Sequence, residues 1–275
     1  YHSLGNDYLV YDIRKNREEL DQEKIVRICS RNFGIGSDGI VAGPYEKEGE
    51  ILVRVFNPDG TEAEQGGNAL RIFAHYLKTT GEIQKETFSL CTKSGISQIR
   101  YLNREGNRIQ MTMGKLNFSS RNLGLSGPDR EAVHEFYNFG GEECDCTCVS
   151  SGNPHCVIVL EKTDRETVCR IGKYSERAEC FPEGINTEIV EVLDKNNIQI
   201  EIFERGAGYT LASATGACAA AGAAYRRGLI DSDVMVHMPG GKLWTQIDEE
   251  WAVKTIGSVK RICKIQLFED FFQGI

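Results

Sequence analysis

The chain lacks several features that would assign its class at once. No apolar run approaches the ~20 residues of a membrane-spanning helix, and no charged-then-apolar leader precedes the first glycines. Tyr1 in place of methionine predicts that further sequence lies upstream. Excess positive charge is also missing. A net charge of −8 disfavours nucleic acid or a membrane surface as partner, so an anionic ligand has to be held by local devices such as Arg205 and helix N-termini. There is no dense disulfide framework either: ten irregularly spaced cysteines fit a reducing compartment, hence a cytoplasmic protein. The run Cys144-Asp145-Cys146-Thr147-Cys148 places three thiols on one face of a strand. Without a second ligand pair at finger-like spacing, it reads as core packing, and no metal is expected.

What is present is the composition of a folded globular protein. The 275 residues are 40% hydrophobic and 26% charged, enough for two cores of ordinary size. Two stretches stand out. Phe203-Glu204-Arg205-Gly206-Ala207-Gly208-Tyr209 leads through Ser213-Ala214-Thr215-Gly216 into an alanine-rich helix, and Phe56-Asn57-Pro58-Asp59-Gly60 leads through Gln65-Gly66-Gly67-Asn68 into another. Each puts free backbone N–H groups of a helix start beside a small-residue turn, a setting that suits a small anion. Phe56 precedes Gly66 by the same spacing as Phe203 precedes Ser213, and an offset of 147 residues relates the two stretches. That offset also maps Gly5-Asn6 onto Gly152-Asn153 and Gly39-Ile40 onto Asn186-Thr187. Such matches predict a duplicated domain rather than a repeat array.

Along the chain, helices are expected at Leu20–Asn32 (with Ile25, Val26 and Ile28 inward), at Leu70–Lys78 as an amphipathic helix, near Thr163–Ser175 and at Ala217–Arg227. Strands are expected at Tyr8–Tyr11, Ile40–Ala42, Ile51–Phe56, Thr87–Leu90, Ile96–Tyr101, Ile109–Met113, Val157–Leu160, Asn197–Phe203 and, returning to the first lobe, Ile262–Phe268. Gly34-Ile35-Gly36-Ser37-Asp38-Gly39 spells a dinucleotide fingerprint, but a helix precedes it and a strand follows, the reverse of what that motif needs, so it reads as a turn. The fold class is α/β: two pseudo-symmetric lobes, each a curled, mainly antiparallel sheet around a central helix, with residues 1–116 plus 260–275 in one and 117–259 in the other.

Together these motifs resemble the diaminopimelate epimerase family over nearly the whole chain. The residues that carry the resemblance are Gly5-Asn6-Asp7-Tyr8, Gly34–Gly39, Phe56–Gly60, Gly67-Asn68, Ser151-Gly152-Asn153-Pro154-His155-Cys156-Val157, Asn186, Glu204–Gly208 and Thr215-Gly216-Ala217. The resemblance implies lobes facing each other across a cleft. It also implies cofactor-independent inversion at the α-carbon of an amino acid, in bacterial lysine and cell-wall synthesis. In the family one cysteine removes the α-proton and a second returns a proton, each at a helix start that lowers its pKa. Here those positions are Gly66 and Ser213, the family's usual glutamate beyond Glu204-Arg205 is Tyr209, and a usual glycine is Ala214. A positioned acid or base is worth about 10²–10⁴ in rate, so the family's own mechanism is expected to run poorly here, if at all.

By the same resemblance Asn6, Asn57, Asn153, Asn186 and Arg205 hold the distal end of the substrate, and Glu204 meets its ammonium. The backbone of Gly67-Asn68 and Ala214-Thr215 holds the reacting carboxylate. Three readings follow. The first is an isomerase acting on L,L-diaminopimelate or a similar amino acid, with proton transfer by Asp38, Glu204, Tyr209 or Ser213, as phenazine-pathway isomerases of this fold use carboxylates. The second is a one-base isomerase or lyase, and the third a non-catalytic amino-acid-binding homologue. The expected partner is a small-molecule substrate, with no cofactor, no nucleic acid and no membrane; a homodimer is compatible with all three readings.

Overall fold

Short apolar alternations bounded by glycine and asparagine give this chain many strands and few helices. Its structure, a computed structural model, describes residues 1–16, 18–47, 49–63 and 66–272; Gln65 of the turn motif lies outside them. The chain divides into two units, Tyr1–Met111 with Ser258–Ile275, and Thr112–Gly257.

The first unit contains β1 (His2–Ser3), β2 (Asn6–Asp7), β3 (Leu9–Asp12), α1 (Gln22–Cys29), β4 (Ile40–Lys47), β5 (Glu50–Phe56), α2 (Gly67–Thr79), β6 (Thr87–Thr92), β7 (Gly95–Tyr101) and the start of β8 (Arg108–Lys115), which runs on past Met111. Strands β1 and β2 form a small ribbon, and the main sheet runs β3-β4-β5-β6-β7-β8. Helix α1 is shorter than Leu20–Asn32: Asp21 caps it by accepting from the Lys24 N–H, and the chain turns out of it at Ser30. Ile25 and Ile28 are buried, but Val26, about 100° round the helix from Ile25, is exposed. Helix α2 begins earlier than Leu70 and keeps the expected amphipathic pattern. Ten of its residues, Gly67 to His75 and Leu77, are buried, so it is a central helix enclosed on nearly all sides.

The second unit contains β9 (Glu135–Phe139), β10 (Glu142–Ser150), β11 (Pro154–Val159), α3 (Arg165–Ser175), β12 (Asn186–Asp194), β13 (Asn197–Glu204), β14 (Gly208–Thr210), α4 (Ala214–Arg226), β15 (Asp233–Met238), β16 (Gly241–Ile247) and β17 (Ala252–Ser258). Its sheet runs β17-β16-β15-β13-β12-β11-β10-β9, with β14 hairpinned onto β13. Helix α4 touches β10, β11, β12, β13, β15 and β16, so the sheet curls around it. Its run of alanine and glycine makes that approach possible: a Cβ on Gly222 would lie 2.2 Å from Leu116 Cδ1. The helix starts at Ala214, three residues before the expected Ala217, because Ser213 supplies the cap.

The duplication extends to strand register. Helices α2 and α4 begin and end at the same offset of 147, Gly67–Thr79 against Ala214–Arg226. The parallel pairing Leu9↔Ile40 recurs as Cys156↔Thr187, and the antiparallel pairing Ile40↔Phe56 as Thr187↔Phe203. The strand expected at Ile262–Phe268 does not form. Cys263, Ile265 and Leu267 do alternate as an apolar face, but the segment pairs with no strand among the described residues; Ile262, Ile265 and Phe268 are exposed, while Leu267 packs against Ile25 and its neighbours in the first unit.

Cys144, Cys146 and Cys148 face the core with Cys156, Val168 and Ile171. Among the described residues no two cysteines are joined by a disulfide, and no group of His, Cys, Asp and Glu is arranged to hold a metal ion. Among them, too, no helix is long and apolar enough to cross a membrane.

Candidate active site

In the first unit, the turn after β5 ends at Gly66, which occupies the N-cap position of α2 without a side chain to cap it. The first-turn N–H groups of Gly67 and Asn68 therefore have no partner within the helix. A Cβ at position 66 would lie 3.0 Å and 3.2 Å from the two Val55 methyls. Asn57 is held in its own turn, donating from Nδ2 to Thr61 Oγ1 at 3.0 Å.

Asp38 belongs to a polar chain that runs to the same helix start. Its Oδ2 accepts from Asn6 Nδ2 (2.9 Å) and from the Asp7 N–H (3.1 Å), and its Oδ1 accepts from Arg31 (2.8 Å). Asn6 Oδ1 accepts from Asn68 Nδ2 at 3.1 Å, and Asn68 Oδ1 accepts from the buried Arg71 at 2.9 Å. Asp38 thus orients Asn6, Asn6 orients Asn68, and all three are fixed before any ligand arrives.

In the second unit, Ser213 caps α4: its Oγ accepts from the Gly216 N–H at 3.2 Å and lies 3.3 Å from Thr215 Oγ1. Ser213 is buried, and Ser151 Oγ donates to the Thr215 carbonyl at 3.0 Å, which steadies the first turn. The N–H groups of Ala214 and Thr215 remain open to a ligand. Glu204 ends β13 and is half-buried. Burial pushes its carboxyl pKa up, the neighbouring Glu188 adds to the rise, and the Ser213 hydroxyl and His155 pull against it.

Arg205 follows on a turn pinned at several points. Its N–H donates to Asn186 Oδ1 (3.0 Å), its Nη1 donates to the Glu183 carbonyl (2.9 Å), and the Gly206 N–H donates to Glu176 (2.6 Å). The guanidinium forms no ion pair with Glu204 or any other described carboxylate. Asn186 also donates to the Pro154 carbonyl (2.8 Å), so this side chain ties Arg205 to β11.

Tyr209 is not brought to Ser213. It pairs with Phe203 across the β13–β14 hairpin and so shares that residue's face, whereas Glu204 points to the other. Its hydroxyl donates to Glu201 at 2.8 Å, and its ring lies under Arg165, 4.5 Å from the guanidinium. Burial and the Glu201 hydrogen bond push the phenol up to about 12.

Sequence reasoning missed a buried pair behind this half-site. Glu188 Oε1 and His155 Nδ1 are 2.7 Å apart, and His155 Nε2 is 2.8 Å from Asn153 Oδ1. The available signal was the glutamate at the third residue of Asn186-Thr187-Glu188-Ile189-Val190, among residues otherwise uncharged.

A sequence model described as diaminopimelate epimerase matches residues 1–119 and 147–262. The diaminopimelate epimerase 2 of a Nostoc species is 43% identical over 274 residues, covering 99% of this chain and 95% of the relative. The diaminopimelate epimerase of Alkaliphilus metalliredigens is 32% identical over 270 residues, covering 96% and 94%. Among solved structures, a probable proline racemase from Agrobacterium radiobacter superposes with a TM-score of 0.73 at 12% identity, covering 99% of this chain and 93% of that one. A phenazine biosynthesis protein from Bacillus anthracis gives 0.62 at 14%, covering 87% and 86%. These distant likenesses establish the fold alone. The extent of the sequence match establishes more: the chain belongs to the diaminopimelate epimerase family.

Proposed function

We propose that this chain is a cofactor-independent isomerase acting at the α-carbon of L,L-diaminopimelate or a similar amino acid, in lysine biosynthesis in the cytoplasm, and that Glu204 takes over the proton transfer usually done by a thiol at position 213. The observation that carries the reading is the placement of Glu204. Of the four candidate groups, Asp38 is committed to Arg31 and Asn6, Tyr209 faces away with its pKa raised, and the Ser213 hydroxyl is engaged as a helix cap. Glu204 has no ion-pair partner among the described residues, lies close to Ser213, and has a pKa moved toward the range where a carboxyl exchanges protons near neutrality.

The remaining residues support recognition. Arg205, held by Asn186 and without a carboxylate partner among the described residues, suits a charge-assisted pair with a substrate carboxylate. Asn153, Asn6 and Asn57 offer amide groups. The open N–H groups of Ala214 and Thr215 suit the carboxylate on which carbanion charge develops, and those of Gly67 and Asn68 in the other unit suit an anion for the same reason. Position 66 supplies no proton, so inversion takes one of its two protons from solvent. Incubation with L,L-diaminopimelate in D₂O tests this: the native protein is expected to wash deuterium into the α-position and form the inverted centre, and an inert native protein would overturn the proposal.

A further inference from the structure

Glu188 and His155 form a charged or proton-sharing pair whose side chains have no exposure at all, and Glu188 Oε2 has no hydrogen-bond partner among the described residues. The fold does not require that arrangement. The duplicate of Glu188, at the same register in the first unit, is Val41, also fully buried and purely apolar: Val41 pairs with Val55 as Glu188 pairs with Ile202. Burying a carboxylate where its twin lobe has a valine is a cost to folding, and replacing such pairs with hydrocarbon is often neutral or stabilising. The pair therefore serves something other than packing.

What it reaches is Asn153. The Asn153 carboxamide oxygen only accepts, so the 2.8 Å contact requires His155 Nε2 to carry a proton, and the Glu188 contact shares a proton at Nδ1. With its oxygen turned to His155, Asn153 must turn its NH₂ the other way, where it has no partner among the described residues. Glu188 is itself seated against the first turn of α4. A Cβ on Gly216 would lie 2.6 Å from Glu188 Oε1, so only glycine at 216 lets the carboxylate sit there.

We propose that Glu188 is a positioning residue for ligand specificity: through His155 it locks the Asn153 carboxamide with its NH₂ outward, as a fixed donor to a carboxylate of the bound amino acid. The ligand class rests on the function proposed above; the lock itself does not. A carboxamide free to flip would present its oxygen half the time and repel an anion. A locked one discriminates for carboxylate over ammonium at that point.

The test combines ring-¹⁵N NMR of histidine-labelled protein with calorimetric binding of L,L-diaminopimelate. In the native protein the His155 signals, assigned by their loss in His155→Gln, are expected to show a protonated Nε2. Glu188→Gln is expected to shift those signals and weaken binding about 10- to 100-fold, the worth of one hydrogen bond to a charged group. Asn153→Asp keeps an acceptor for His155 but has no NH₂, so it should leave the ring signals near native and still lose binding. An unprotonated Nε2 in the native protein, or a Glu188→Gln variant with native signals and affinity, would overturn the proposal. A native protein that binds no diaminopimelate would instead sink the substrate assignment, with the NMR still deciding whether Glu188 holds His155.

Discussion

Replacing Glu204 by glutamine removes a proton-transfer group while leaving its shape. Since Glu204 makes no ion pair among the described residues, nothing is left uncompensated by the change, and the hydrogen-bonding amide fits the same half-buried space beside Ser213. Loss of a positioned acid or base lowers rate by about 10²–10⁴, so α-proton exchange of L,L-diaminopimelate, followed by ¹H NMR in D₂O, should fall by that factor. In the native protein the exchange rate should rise with pH through the raised pKa of Glu204, because the ionised form is the base; Glu204→Gln should lose that limb. Stability should move the other way. The folded carboxyl binds its proton more tightly than an unfolded one at the ordinary value of 4.5. Folding is therefore penalised increasingly as pH rises from 4.5 through the folded pKa, and the penalty is constant above it. Glu204→Gln should accordingly melt higher than native at pH 7, with the difference vanishing below 4.5. Exchange that survives the substitution, or a lower melting temperature at pH 7, would refute this assignment.

Ser213→Ala removes the cap on the Gly216 N–H and should cost about 1 kcal/mol in chemical denaturation; it also removes a group that holds the Glu204 pKa down, so the midpoint of the exchange profile should move to higher pH. Gly66→Cys meets the Val55 methyls at 3.0 and 3.2 Å, and should lower stability by roughly 1–3 kcal/mol although the backbone at φ −152° accepts any side chain. In the first unit, burial alone would raise the Asp12 carboxyl, but hydrogen bonds from Arg14, Tyr76 and Lys15 outweigh it and hold the pKa well below the usual range. That contribution is present above the ordinary value of 3.8 and lost as pH falls below it, so acid titration should destabilise the native protein more steeply than Asp12→Asn.

Much of the candidate site was legible because it is local. Both helix starts follow from small residues ten positions beyond a strand phenylalanine, and serine at 213 is a residue that caps helices. The duplication was legible as an offset, and the shared strand registers are its structural consequence. What was hidden depends on pairing between distant segments. Glu188 and His155 meet only because β11 and β12 lie parallel with His155 opposite Asn186. The side of the sheet that Tyr209 takes is set by its partner Phe203, which the sequence around a glycine-rich turn does not specify. The missing strand at Ile262–Phe268 shows the reverse failure: Cys263, Ile265 and Leu267 alternate as a strand would, yet the segment finds no partner strand among the described residues.

The most direct measurement compares native protein with the Gly66→Cys/Ser213→Cys double variant in D₂O with L,L-diaminopimelate, following α-proton loss and configuration together. The native protein is expected to exchange and invert, with Glu204→Gln lowering both by about 10²–10⁴. An inert native protein alongside an active double variant would contradict it, leaving a family member whose binding residues outlast its proton chemistry.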